Sequence, residues 1–228
     1  MKKIDKFIYP GTHRELVGGK RHYVIGEEKL PSVTTILSQT QSEEKRRSIA
    51  AWYAREGKEK ANRIKTRAAN RGSTMHKILE HKILGQEHAD MTELGQEAMK
   101  MAERIAERGL CNVTEYYGTE VNVYYPGLYA GQTDLACVHN GSDAIVDFKQ
   151  TNKPKQREWI TDYFLQGAAY CMAHDAVYDT SIDKFVVMMC SPDPYYQEFI
   201  IQGSELKKYK YEWLRRLDQY HASKKIDS

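Results

Sequence analysis

The sequence predicts an α/β fold, a central mixed β-sheet flanked by helices, with a helical N-terminal portion. Three observations predict it. Residues 129–138 and 144–150 are β-like runs joined by His139-Asn140-Gly141-Ser142-Asp143, a hairpin connection with Asn-Gly at its centre. Residues 157–178 then follow a helical period, and Lys184–Cys190 is a continuous apolar run that suits a strand covered on both faces. Upstream, residues 43–110 carry the spacing of successive helices.

Composition sets the bounds. At 228 residues, 41% hydrophobic and 29% charged, the chain is long enough to bury a substantial core. A single domain over 1–228 is expected, with a helical basic part over about 31–110, a sheet core over about 113–202 and a closing helix over about 204–221. No apolar run approaches the ~18 residues of a membrane span, so no membrane partner is expected. The start MKKIDKFIYPGTH lacks both a secretory apolar core and an Arg/Ser-rich transit pattern, so a cytoplasmic setting is expected, in a bacterium or a phage-infected host, with an organelle as the alternative. Cys111, Cys137, Cys171 and Cys190 lie far apart without a C-x-x-C pair and read as buried thiols in a reducing compartment.

Taken in order, residues 1–30 are short, polar and strand-prone, with His22–Ile25 and Gly26 suggesting a hairpin. Gly18-Gly19-Lys20 lacks the spacing of a phosphate-binding loop, so no nucleotide cofactor is implied. Pro31–Leu37 reads as a loop and a short helical or extended turn, where Ser32, Thr34 and Thr35 cap a helix or meet a ligand. Residues 43–70 read as two helices opened by Ser42. Between Lys45 and Arg71 stand ten Lys/Arg against two Glu, a solvated face or a phosphate-contacting surface. Arg71-Gly72-Ser73 breaks the pattern, and Ser73 caps a helix through Leu84 whose core face is Met75, Ile78, Leu79 and Ile83. His76 and Glu80 sit one turn apart on its flank, as a structural pair or as ligands.

Thr92–Leu110 is a further helix ended by Gly109. In the strand Val113–Tyr125, Glu120, Asn122 and Tyr124 share a face, with Glu120 either an exposed edge carboxylate or a site acid, and Glu115 as its substitute. The two hairpin runs each hold a carboxylate where a strand should be apolar, Asp134 and Asp147. Alternation puts Ile145, Asp147 and Lys149 on one face and Val146 and Phe148 on the other. Asp147 and Lys149 therefore make either a salt bridge at a sheet edge or a site for a divalent cation and a phosphate oxygen.

On the helix over 157–178, Ile160, Phe164, Ala168, Cys171 and Met172 form one face, and Trp159, Tyr163, Gln166 and Tyr170 a second stripe able to stack on bases or to join the core. Residues 195–202 make a last strand antiparallel to 184–190. The closing helix turns Leu206, Tyr209, Trp213, Leu214 and Leu217 inward, and residues 223–228 are expected to fray.

Gly131-x-x-Asp134, Asp147-Phe148-Lys149 and Gln166-x-x-x-Tyr170, in that order, resemble the RecB-like branch of the PD-(D/E)XK nuclease superfamily. Pro31–Leu37, Arg71-Gly72-x-x-x-His76-x-x-x-Glu80, Glu120 and Lys153-Pro154-Lys155 extend the resemblance over roughly residues 31–190, towards exonucleases of the mitochondrial genome maintenance type. The resemblance implies a restriction-endonuclease-like core and metal-dependent hydrolysis of DNA, single-stranded or with a free end, by a monomer. It implies one or two Mg²⁺ or Mn²⁺ ions on Asp134, Asp147, His76, Glu120 and the Phe148 carbonyl. Lys149 would handle the attacking water, while Gln166 and Tyr170 place the phosphate. Ser32, Thr34, Thr35, Arg71, Lys153, Lys155, Trp159 and Tyr163 would contact the strand. The cysteine spacing does not resemble that of the relatives with an iron–sulfur cluster, so no cluster is expected. The alternative is a non-catalytic or partner-dependent nucleic-acid-binding component of a recombination complex.

Overall fold

A computed structural model describes residues 1–226. The chain runs β1 (Lys2–Lys3), β2 (His13–Val17), β3 (Lys20–Ile25), β4 (Glu28–Pro31), α1 (Val33–Gln39), α2 (Glu43–Glu56), α3 (Lys58–Ile83) and α4 (Glu93–Arg108). It continues through β5 (Val113–Tyr125), β6 (Tyr129–His139), β7 (Ser142–Gln150), α5 (Thr161–Tyr178), β8 (Lys184–Cys190), β9 (Tyr196–Gln202) and α6 (Ser204–Ile226).

The main sheet has six strands in the order β1-β5-β6-β7-β8-β9, and it is mixed. Strands β5 to β7 form an antiparallel meander, whereas β7 and β8 are parallel. A parallel pair needs a long crossover, and α5 supplies it. One core lies between the sheet and α5, α6 and α1, with Phe164, Ala168, Ile145 and Trp213 buried in it. The other lies against α3 and α4, with Met75, Leu79, Met101, Val146 and Phe148. The alternation along β7 thus feeds both cores. A second sheet, β2-β3-β4, rests on β6 through Tyr23, Ile25, Leu30 and Ala130.

Several details differ from the sequence-based expectation. The helical break falls at Gly57 (φ 78), between α2 and α3, not at Arg71-Gly72-Ser73. Helix α3 passes unbroken through Gly72, whose missing side chain lets the helix lie close to β7: a Cβ there would sit 3.1 Å from the Gln150 side chain. Ser73 is interior and caps nothing. The basic excess over 45–71 also shrinks in three dimensions. Lys45, Arg47, Arg67 and Arg71 pair with Asp162, Glu43, Glu93 and Glu97, acids that lie outside that stretch. Arg55 and Lys60 share Glu56.

Helix α6 runs on through Ile226, so most of the expected frayed tail is helical, while Asp227 and Ser228 lie outside the described residues. Leu214 is 37% exposed rather than inward; Trp213, Leu217 and Tyr220, at i, i+4 and i+7, make the buried stripe. Cys111 is exposed, unlike the other three cysteines. Among the described residues no helix is long and apolar enough to cross a membrane.

Candidate active site

The site forms where the main sheet forks. Asn140 and Gly141, both with positive φ (46° and 76°), close the β6–β7 hairpin as a tight primed turn. Rungs run from His139–Ser142 to Leu135–Val146 and stop there. Beyond that point β6 stays with β5 to Tyr129, and β7 stays with β8 to Gln150. Asp134 and Asp147 are the next residues on each strand, in the mouth of the fork. Asp134 Oδ2 accepts the Phe148 N–H at 2.5 Å, satisfying a donor that the lost ladder would have paired.

Facing Asp134 on β5 is Glu120, a non-glycine residue in a left-handed conformation (φ 52) inside a strand. Such a conformation is costly and persists only when its surroundings hold it. Gln132 does so here, donating from Nε2 to the Glu120 carbonyl at 2.8 Å. From the opposite side α3 brings His76, whose Nδ1 lies 3.2 Å from Asp134 Oδ1 and 3.9 Å from Glu120 Oε1. One donor atom each from His76, Glu120 and Asp134 fits within 4.8 Å of the others. Asp147 stands beside this triple, its carboxylate paired with the Lys149 ammonium.

Lys149 Nζ lies 5.0 Å over the Tyr163 ring, and Gln166 Nε2 donates to Tyr170 OH at 2.8 Å, so α5 closes that side. Gly131 makes room for Tyr170: a Cβ at that position would lie 2.4 Å from its ring. Gly131→Ala is therefore expected to displace Tyr170 and lower any strand-cleaving kcat about tenfold, at a stability cost of roughly 1–3 kcal/mol. Steady-state kinetics and urea unfolding of that variant check both numbers.

The charges explain each other. Burial and the neighbouring Asp134 push the Asp147 carboxyl up to about 6 against the pull of Lys149. Burial also opposes ionisation of Asp134, but His76 and Lys149 outweigh it and hold that carboxyl below its ordinary value. Burial disfavours the His76 cation, yet Asp134 and Glu120 raise it to about 10. Burial likewise works against the Lys149 ammonium, and Asp147 and Asp134 overcome it, so its pKa is raised. Three carboxylates thus face two protonated side chains. One imidazole nitrogen and clustered carboxylate oxygens are the donor set of a Mn²⁺- or Mg²⁺-type ion. The residues present fit such an ion.

These groups line one open cavity of about 610 Å³. His76, Glu120, Asp134, Asp147, Lys149, Tyr163, Gln166, Tyr170, Ser32 and Thr34 all reach it, while the Phe148 ring is buried in the core beneath. Other expected contacts are tied up within the fold or stand outside the cavity. Arg71 is buried and ties α3 to α4 and β7, with its nitrogens on Glu97, Gln150 and Asn152, so no face is left for phosphate. Ser32 is 1% exposed and caps α1, and the Thr35 hydroxyl donates to the Arg21 carbonyl. Trp159 is 63% exposed on a turn outside the cavity, and Lys153 and Lys155 also stand clear of it.

Among the described residues Glu80 forms no hydrogen bond or ion pair with His76, whose ion-pair partners are Asp134 and Glu120. Glu115, between Lys2 and Val138 in the sheet, does not reach the cavity. The sequence reading missed Arg14, Arg21, Tyr23 and Gln132, which form the wall contributed by the small sheet and β6. No local pattern marks them, because only docking of the small sheet brings them there.

No family model matches the chain. It is 28% identical over 209 residues to mitochondrial genome maintenance exonuclease 1 of Mus musculus, covering 86% of this chain and 60% of that protein. It is 26% identical over 208 residues to the Homo sapiens protein of that name, covering 86% and 59%. The chain thus spans about three fifths of the length of the curated relatives it matches. Among solved structures, a protein from Eubacterium rectale named as a candidate exonuclease aligns at TM-score 0.48 and 16% identity, over 67% of this chain and 64% of that one. The resemblance to PD-(D/E)XK-type exonucleases read from the ordered motifs holds on these curated relatives.

Proposed function

We propose that this chain is a metal-dependent DNA exonuclease, hydrolysing phosphodiester bonds of single-stranded DNA or of DNA ends. The observation that carries the proposal is the convergence of His76, Glu120 and Asp134 in the sheet fork, with Asp147 and Lys149 alongside. A Mg²⁺ or Mn²⁺ ion held by that triple, with Asp147 and the Phe148 carbonyl in support, would supply Lewis acidity and an activated water. To serve as a ligand His76 would release the proton that Asp134 and Glu120 otherwise hold on its imidazole.

Lys149 holds the attacking water and offsets charge growing on the phosphoryl oxygens. Tyr170, pushed well above its ordinary pKa by burial and Asp147, stays a phenol, and with Gln166 it fixes the phosphate. Tyr163 offers a ring on which a base stacks. The name of the relatives, mitochondrial genome maintenance exonuclease 1, supports exonuclease action on DNA. The cavity's chemistry supports the metal requirement, and its walls on both sides support a single strand as the occupant.

An end-labelled linear oligodeoxynucleotide tests this. Stepwise shortening is expected with Mn²⁺, to be stopped by EDTA, while a circular single strand stays intact. A folded chain that leaves the linear strand uncut in excess Mn²⁺ would overturn the proposal.

A further inference from the structure

The cations expected from the sequence to grip phosphate are paired with acids or stand clear of the cavity, and two cations that nothing in the sequence marked line its wall. Arg71 is saturated by Glu97, Gln150 and Asn152. Six of the ten basic residues over 45–71 are paired with acids. Lys149 belongs to Asp147. On the opposite wall stand Arg14 of β2 and Arg21 of β3, both exposed and both lining the cavity that holds the carboxylates.

Arg21 takes part in no ion pair and in no side-chain hydrogen bond among the described residues. Its backbone is nonetheless fixed, for its carbonyl accepts the Ser32 N–H at 3.1 Å and the Thr35 hydroxyl at 3.1 Å. The Thr35 hydroxyl, expected to touch DNA, thus helps to hold the strand that carries Arg21. Arg14 is steadied over the Tyr23 ring, 5.4 Å from its centroid, and by Gln132. Tyr23 itself is buried against Ala130 of β6, so this wall is anchored to the strand that carries Asp134.

A free guanidinium on a fixed backbone, across a cavity from an acidic cluster, is a ready donor pair for a phosphodiester. We infer that Arg21, with Arg14 beside it, forms a phosphate subsite that takes the non-scissile phosphate of the nucleotide next to the one in the fork. It rests on the nuclease reading only for the identity of the strand. The subsite holds the backbone without reading bases, so it confers length dependence and salt dependence rather than sequence preference.

Binding of a short labelled oligothymidylate in EDTA, followed by anisotropy across a salt series, tests it. Arg21→Ala is expected to raise Kd about tenfold and to flatten the slope of log K against log[salt] by roughly 0.7. Arg21→Lys should keep the slope and recover part of the affinity, because it keeps the charge but loses the fork of donors. A parallel series has Ca²⁺ in place of EDTA, so that the fork can hold a phosphate. There thymidine monophosphate, which offers a single phosphate for the fork, should compete with the same inhibition constant, within about twofold, in variant and unsubstituted chain.

An unchanged oligonucleotide Kd and slope would overturn the inference. So would an equal loss of mononucleotide affinity, or an effect confined to oligonucleotides with a terminal phosphate. The assay needs no cleavage: a chain that binds the strand but never cuts it fails as a nuclease and leaves the Arg21 subsite standing.

Discussion

Asp147→Asn is expected to lower the rate of strand cleavage by about 10³-fold or more while oligonucleotide binding stays within a few-fold. Asp147 is 2% exposed, in the mouth of the fork, paired with Lys149 and close enough to Asp134 to be pushed up by it. The amide keeps the shape and removes the charge, so the loss reports electrostatics rather than packing. The pH dependence follows with a definite sign. Burial and Asp134 hold the Asp147 carboxyl at about 6, and its useful form is the ionised one. That value belongs to the metal-free site, and a bound cation competes with the proton and draws it lower. The unsubstituted rate should therefore climb about tenfold per pH unit along an acid limb that lies at or below about 6, moves down as Mn²⁺ is raised, and levels off above. That limb should vanish in the residual rate of the variant. Cleavage by Asp147→Asn at the unsubstituted rate would remove Asp147 from the site.

Lys149→Met should cost about 10²-fold in kcat. It should also cost about 3 kcal/mol of stability at neutral pH, since it leaves buried carboxylates without their ammonium. The Lys149 pKa is raised because Asp147 and Asp134 overcome the cost of burial. Its contribution is therefore fully present below the ordinary lysine pKa and is lost only as pH rises through the higher folded value. What shrinks at low pH is the damage done by losing it, because Asp147 then takes up a proton. Urea unfolding in EDTA should show a larger penalty at pH 7.5 than at pH 4.5. Equal penalties would mean that the ammonium packs in the site without neutralising it.

Local signals were legible and relayed ones were not. The β6–β7 hairpin falls within two residues of expectation because Asn140-Gly141 and the strand alternation are short-range features. Asp134, Asp147, Lys149, Gln166 and Tyr170, singled out by the family resemblance, all line one cavity. Gly72 reads as a helix breaker beside Ser73, yet it lies within a helix and marks a close approach to Gln150, 78 residues on. Arg71 reads as a phosphate contact until Glu97 and Gln150 are seen to enclose it. Nothing in a glutamate foretells a left-handed φ, so the kink at Glu120 could not be read from the strand pattern. The wall with Arg14 and Arg21 depends on how a separate small sheet docks, and no periodicity within 1–30 encodes that.

The central claim is that the fork of β6 and β7 builds a divalent-cation site with His76 and Glu120. Anomalous diffraction at the manganese edge, from crystals soaked in Mn²⁺, tests it most directly. One peak is expected with His76 Nδ1 and oxygens of Glu120 and Asp134 at ~2.0–2.6 Å. Diffraction showing that cavity without a manganese peak, while Mn²⁺ occupies other carboxylates on the surface, would contradict it.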